Sequence, residues 1–192
     1  GGISIYGATL DSTANKLYIV GRYGNSCALD TCTLSASGGT GGFLSQWDLE
    51  GHCLWARNVV ISGTDLMGNS CTASAVAVDE QGRILLGGTT TPYGPSFLAG
   101  HLVPQGTFMA AYDASGDTLW TRMIASYQGD FASLYPISSR TWNGHVFVSN
   151  TIYLHTTSDT VTVDTVVITG FQGGAQALLR LDPTDGSVDW VR

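Results

Sequence analysis

Lysine is almost absent from this chain. Lys16 is the single lysine among eight basic residues, and the formal net charge is −7. With no basic stripe, nucleic acid and anionic membrane surfaces are poor partners. Charged residues of both signs make up only 12% of the sequence, against 43% hydrophobic. That balance excludes a disordered chain and supplies a continuous core. No run approaches the ~18 consecutive apolar residues of a membrane helix. No charged-then-apolar leader is visible and no window has helical periodicity. The four histidines, His52, His101, His145 and His155, have no His, Cys or Glu at ligand spacing. No serine elbow, phosphate-binding loop or cysteine-nucleophile signature occurs. Gly38-Gly39-Thr40-Gly41-Gly42 has the composition of a phosphate cradle, but no helix follows it. The residues therefore assign no catalytic, cofactor-binding or metal-binding group, and no cofactor is expected.

What the chain does have is glycine, 25 residues of it, and a pattern that returns three times. Asp48-Leu49-Glu50-Gly51-His52-Cys53-Leu54-Trp55-Ala56-Arg57 is matched by Asp113-Ala114-Ser115-Gly116-Asp117-Thr118-Leu119-Trp120-Thr121-Arg122. Asp182-Pro183-Thr184-Asp185-Gly186-Ser187-Val188-Asp189-Trp190-Val191-Arg192 closes the series. The tryptophans stand 65 and 70 residues apart. A strand-rich period of that length marks stacked or radially arranged β units, none able to bury both its faces alone.

Each unit reads as four strands separated by Gly, Asp and Asn turns, and the units span approximately 3–59, 72–124 and 131–192. The second strands, Leu17-Tyr18-Ile19-Val20-Gly21, Ile84-Leu85-Leu86-Gly87-Gly88 and Val146-Phe147-Val148-Ser149-Asn150, are nearly continuously apolar. Such runs are expected when both faces of a sheet are covered. The expected fold is all-β: three four-stranded antiparallel blades of a β-propeller. Closed propellers need about four to eight blades, so the residues are expected to form an arc of a larger ring whose other blades lie outside this sequence.

The pattern Gly-Gly, Phe-Leu-x-x-Trp/Tyr-Asp, x-x-Gly-x-x-Leu-Trp, followed by Val-Asp-x-x-Gly-Arg-Ile-Leu-Leu-Gly-Gly, resembles the bacterial seven-bladed β-propeller repeat called the SBBP repeat. Related tryptophan-bearing repeats occur in quinoprotein-like propellers. The resemblance covers nearly the whole chain and implies a secreted or cell-surface bacterial protein. Some members use the type IX export route with a C-terminal sorting domain, which is not visible here. The third unit departs from the pattern, with Ala177 in place of the Phe and a longer first turn at Ser138–Gly144.

The repeat also assigns roles. Trp55, Trp120 and Trp190 recur at one place in every unit, which argues for packing over a ligand ring. Arg57, Arg122 and Arg192 are expected to pair with a neighbouring Asp or backbone carbonyl. Asp48, Asp113 and Asp182 precede hairpin turns, where a carboxylate accepts bonds from the turn backbone. Asp182-Pro183-Thr184-Asp185-Gly186 lacks the alternating oxygens and distal Glu of a calcium loop.

Short turns fall on one end of the blades. The long segments Gly24–Gly41, Ile61–Ser70, Thr91–Gly106, Ala125–Asp130 and Thr151–Gly174 fall on the other, where they either carry binding or are decoration closing the blade edges. Short strand pieces are expected among them, Val161-Thr162-Val163 and Val166-Val167-Ile168 in particular. Cys27, Cys32, Cys53 and Cys71 allow three complete pairings. Cys27 and Cys32 align with Val161 and Val166, and are expected to bridge a small hairpin. Low lysine and an even cysteine count fit an oxidising compartment.

The function expected from these features is a non-catalytic extracellular module that binds protein or glycan through its long-loop face, or scaffolds a surface assembly. Missing blades or neighbouring domains of the same protein are further expected partners. The enzymatic alternative is a propeller hydrolase, lyase or quinoprotein-like enzyme, its axial site completed by blades not present here.

Overall fold

A computed structural model of the chain describes residues 2–62, 71–90, 96–128, 132–154, 160–169 and 172–192. The described residues are all-β, with antiparallel pairing throughout and no helix. The first unit contributes β1 (Ile3–Asp11), β2 (Lys16–Leu29), β3 (Cys32–Trp47) and β4 (Cys53–Ser62). The second contributes β5 (Thr72–Val78), β6 (Ile84–Thr90), β7 (Ser96–Leu98), β8 (His101–Val103), β9 (Gly106–Tyr112) and β10 (Thr118–Gln128). The third contributes β11 (Ala132–Trp142), β12 (His145–Leu154), β13 (Thr160–Val163), β14 (Val166–Thr169), β15 (Gly173–Leu181) and β16 (Val188–Val191).

The units exchange hairpins. The small hairpin β7–β8 lies between β6 and β9 in sequence, yet it pairs with β4 of the preceding unit through Val60↔Leu98 and Ile61↔Phe97. The hairpin β13–β14 likewise pairs with β10 through Ala125↔Val163 and Tyr127↔Val161. The resulting sheet orders are β1-β2-β3-β4-β7-β8, β14-β13-β10-β9-β6-β5 and β11-β12-β15-β16. The last strand of one unit would otherwise be an open edge, and the next unit's hairpin covers it. Among the described residues no sheet closes on itself.

The sheets stack face to face. We call the face toward the following sheet leading and the face toward the preceding sheet trailing. Tyr18, Val20 and Leu44 on the first sheet's leading face meet Ile84, Leu86, Phe108 and Ala110 on the second sheet's trailing face. Leu85, Met109 and Ile124 on the opposite face of the second sheet meet Val146, Val148, Leu179 and Leu181 of the third. Both β6 and β9 are therefore buried along their whole lengths, which is why they read as continuous apolar runs. In β12 the burial alternates, because only one face of the third sheet is covered. The strand β5 lies beside both β1 and β11, so the first strands of the three sheets gather on one side.

Three expectations need correction. The third unit has no long first turn: β11 runs to Trp142, and Asn143 and Gly144, both with positive φ (50° and 74°), close a tight hairpin. Second, the described parts of the long segments are largely strand. Gly24–Gly41 is mostly the continuation of β2 and β3, while parts of the others, residues 63–70, 91–95, 129–130, 155–159 and 170–171, lie outside the described residues.

Third, the disulfide joins Cys32 to Cys53; Cys27 is half-buried outside it, and Cys71 is buried with its Sγ 3.4 Å from Ser96 Oγ. Across the hairpin Cys27 faces Leu34, and Cys32 faces Leu29. The alignment of Cys27 and Cys32 with Val161 and Val166 holds, but the two positions are diagonal rather than opposite, too far apart for a bridge. The pairing shifts between Gly24 and Ser26, and residues 26–35 double back over the trailing face of their own sheet. The tip then reaches the start of β4, where Asp30 Oδ2 accepts the Cys53 N–H (3.1 Å) and Thr31 Oγ1 donates to the Cys53 carbonyl (3.1 Å).

Ala177 is explained by its partner. In the first two sheets a Phe lies opposite a Gly, Phe43↔Gly21 and Phe108↔Gly88, and a Cβ on either glycine would come within 2.8 Å and 2.5 Å of the ring. The third sheet has Ala177↔Asn150 instead. The smaller Ala leaves room for the buried Asn150 side chain, whose amide has no hydrogen-bond partner on either atom.

Candidate functional site

The repeated residues meet at the turn end of the stack. Asp113 Oδ1 accepts the N–H groups of Ser115 (2.8 Å) and Asp117 (3.0 Å), and Asp182 Oδ1 accepts that of Thr184 (2.7 Å). Asp48 does the same for His52 (2.8 Å). Each carboxylate ties down its own turn and leaves a turn carbonyl free to face outward. The carbonyl of Ala114 accepts the Trp55 indole N–H (3.3 Å), and that of Pro183 accepts the Trp120 indole N–H (3.0 Å). Gly116 (φ 80°) and Gly186 (φ 74°) lie against the two rings, where a Cβ would stand 3.0 Å and 2.5 Å from ring carbons. Glycine supplies both the left-handed backbone and the close approach.

The arginines complete this latch. Arg57 sits over the Trp55 ring (5.4 Å) and donates to the Ser115 carbonyl (3.2 Å) of the next sheet. The Asp185 carboxyl is held below the usual range by hydrogen bonds from Ser187 and, more weakly, by the nearby Arg122 charge. Trp55 and Trp120 are thus half-buried at seams between sheets rather than enclosed within them. In the third sheet Trp190 has Arg180 (5.9 Å) and Arg192 (5.8 Å) over its ring, and no described residue accepts its indole N–H. The Arg192 guanidinium donates to the neighbouring Val191 carbonyl (2.9 Å), and to no other described residue.

A cleft of about 620 Å³ opens at the same end, between the first two sheets. Its inner wall holds the Tyr18 hydroxyl, which accepts from Gln46 Nε2 (2.8 Å). Burial raises the Tyr18 pKa, so the phenol stays neutral. Two of the carboxylates at the rim are engaged in turns: Asp11 caps Thr13 and Ala14, and Asp79 pairs with Arg83 (2.6 Å). His52 stands 3.1 Å from Asp48, His145 stands 3.6 Å from Asp189, and His101 lies exposed on β8; His155 falls outside the described residues. Among the described residues no group of three His, Cys, Asp or Glu side chains could hold a metal ion.

The opposite end carries the exchanged hairpins. They hold Phe97, Leu102, Val166 and Val167 exposed, Leu102 at 68% and Val167 at 61%. The backbone beneath them is fixed by pairing to a neighbouring sheet. On the first unit's own hairpin, Cys27 lines an open pocket of about 570 Å³ with Ile3, Ala28 and Leu34. Burial raises the Cys27 pKa and keeps its thiol protonated.

Comparison with protein-family models and with curated proteins gives no match for this chain. The residues of the latch therefore rest on their own geometry. Sequence alone marked Trp, Asp and Arg but missed Gly116 and Gly186 as their partners. The available signal was that the turn glycine recurs with the tryptophan in every unit.

Proposed function

We propose that this chain is a non-catalytic β-propeller module of an extracellular or cell-surface protein, and that it binds a protein partner through its hairpin end. Three observations support the propeller reading: face-to-face stacking of four-stranded units, their first strands gathered on one side, and the resemblance of the repeat to the SBBP pattern. The Cys32–Cys53 disulfide is consistent with an oxidising location. The binding reading is carried by one observation. Phe97, Leu102, Val166 and Val167 stay exposed on hairpins whose backbone is held rigidly by neighbouring sheets. Large apolar side chains presented on a fixed scaffold fit a protein surface, where burial of each contributes about 1.5–3 kcal/mol.

The test is a binding screen against extracellular proteins and glycans with the wild type and the double variant Leu102→Glu/Val167→Glu. The expected result is a protein ligand bound by the wild type and lost by the variant, with the melting temperature unchanged. Equal binding by both forms, or a ligand that is only glycan, would sink the assignment of this surface.

A further inference from the structure

The leading face of the third sheet repeats the features that receive a neighbour in the other two, but no described residue packs over it as a following sheet does. The place held by Tyr18 beside Trp55 (ring centroids 6.2 Å) is held by Phe147 beside Trp190 (6.2 Å). Leu44 and Met109 are fully buried by the sheet that follows; Leu178, at the same place, is 44% exposed. The Trp190 indole N–H and the Arg192 guanidinium stand where Trp55 and Arg57 grip the Asp113–Gly116 turn.

We propose that this face is a docking surface for a further sheet of the same repeat type. The incoming sheet is latched by an Asp-x-x-Gly turn, whose carbonyl accepts the Trp190 indole N–H and whose glycine lies on the ring. The proposal rests on the propeller reading and adds the contact that joins successive units. Charge narrows the incoming turn. Arg180 and Arg192 flank Trp190, and the residue before the turn glycine is acidic in two of the three units, Glu50 and Asp185. An acidic residue at that place faces Arg192 as Asp185 faces Arg122.

A second copy of this chain is a poorer occupant. Its own Asp48–Gly51 turn is free, with nothing within 4 Å of a Cβ at Gly51. The trailing face behind that turn, however, is covered by residues 26–35, held by the Cys32–Cys53 disulfide. A second copy would bring the exposed Ser26, Asp30, Thr33 and Ser35 of that hairpin onto Leu178 and Phe147, a poorer match than an apolar trailing face.

The test extends the full chain by a second copy of residues 58–128 placed after Arg192. These residues follow Arg57 natively and carry the Asp113–Gly116 turn. Hydrogen exchange of the tryptophan indole N–H groups is followed by NMR. In the parent, Trp55 and Trp120 are expected to be protected and Trp190 to exchange freely. In the extended chain, exchange at Trp190 should slow at least about tenfold. Gly116→Leu in the appended copy should abolish that protection. Unchanged exchange at Trp190 overturns the proposal, as does an appended sheet that fails to fold here although it folds against the first sheet. A dimeric parent with Trp190 already protected, seen by sedimentation, assigns the face to a second copy and overturns it too. Small-angle scattering of the extended chain separates the two readings: a curved arc with Trp190 exchanging freely leaves the propeller and removes the latch.

Discussion

The two end faces of the stack are finished in opposite ways. The trailing face of the first sheet is roofed by its own hairpin, which turns Leu29 and Leu34 inward and Ser26, Asp30, Thr33 and Ser35 outward. No described residue roofs the leading face of the third sheet, and Leu178 and Trp190 stay partly in water. The same connection, between the second and third strands of a unit, has two uses. In the second and third units it reaches back to cover the preceding sheet's edge; in the first it folds onto its own sheet. The disulfide-pinned hairpin thus gives the first sheet a largely polar outer surface.

The sharpest way to break this comparison is to remove the tryptophans one at a time. Trp120→Ala should cost about 3 kcal/mol in a urea titration, because it removes the ring beneath Gly186 and orphans the Pro183 carbonyl. Trp190→Ala should cost less than about 1 kcal/mol, since no sheet lies on it. Equal losses would mean that the third face is already covered.

The seal is tested next. The disulfide closes a loop of 21 residues, for which the chain-entropy relation gives about 3 kcal/mol. Cys53→Ser should therefore lower stability by up to that amount, whereas Cys27→Ser should leave it nearly unchanged. A non-reduced digest should show Cys32 linked to Cys53 and free thiols at Cys27 and Cys71. A Cys27–Cys32 peptide would remove the roof from the first sheet.

The smallest effect compares two turns. Gly186→Ala and Gly51→Ala both force a side chain into a left-handed backbone, which costs about 1 kcal/mol each. Only at Gly186 does the new methyl also meet an indole, so its total should reach about 2 kcal/mol or more. Identical melting shifts would show that the Gly186 turn is not seated on Trp120.

The strand pattern of the units was legible because it is local. Alternation, the Gly and Asp turns and the repeat period place all twelve main strands, and even the small piece at Val161–Ile168. The doubling-back of residues 26–35 was not legible. The hairpin itself follows from its residues, but which surface it lands on depends on the register shift near Gly24 and on the apolar face beneath it. That is also why Cys53 was not recognised as the partner of Cys32: the two lie at opposite ends of a flat sheet and meet only once the hairpin folds over. Likewise Ala177 read as a departure from the repeat, whereas its cross-strand partner Asn150 shows two linked changes at one place.

By itself, then, the sequence determined the all-β character, the places of the main strands and the residues that repeat, because those follow from side-chain period and turn chemistry within a few neighbours. Tertiary structure alone decided which sheet each hairpin completes, which cysteines join, and which of three equivalent tryptophans has no described turn latched on it. Each of those outcomes depends on contacts between segments far apart in the chain, and identical local patterns end differently when a different surface, or none, stands opposite them.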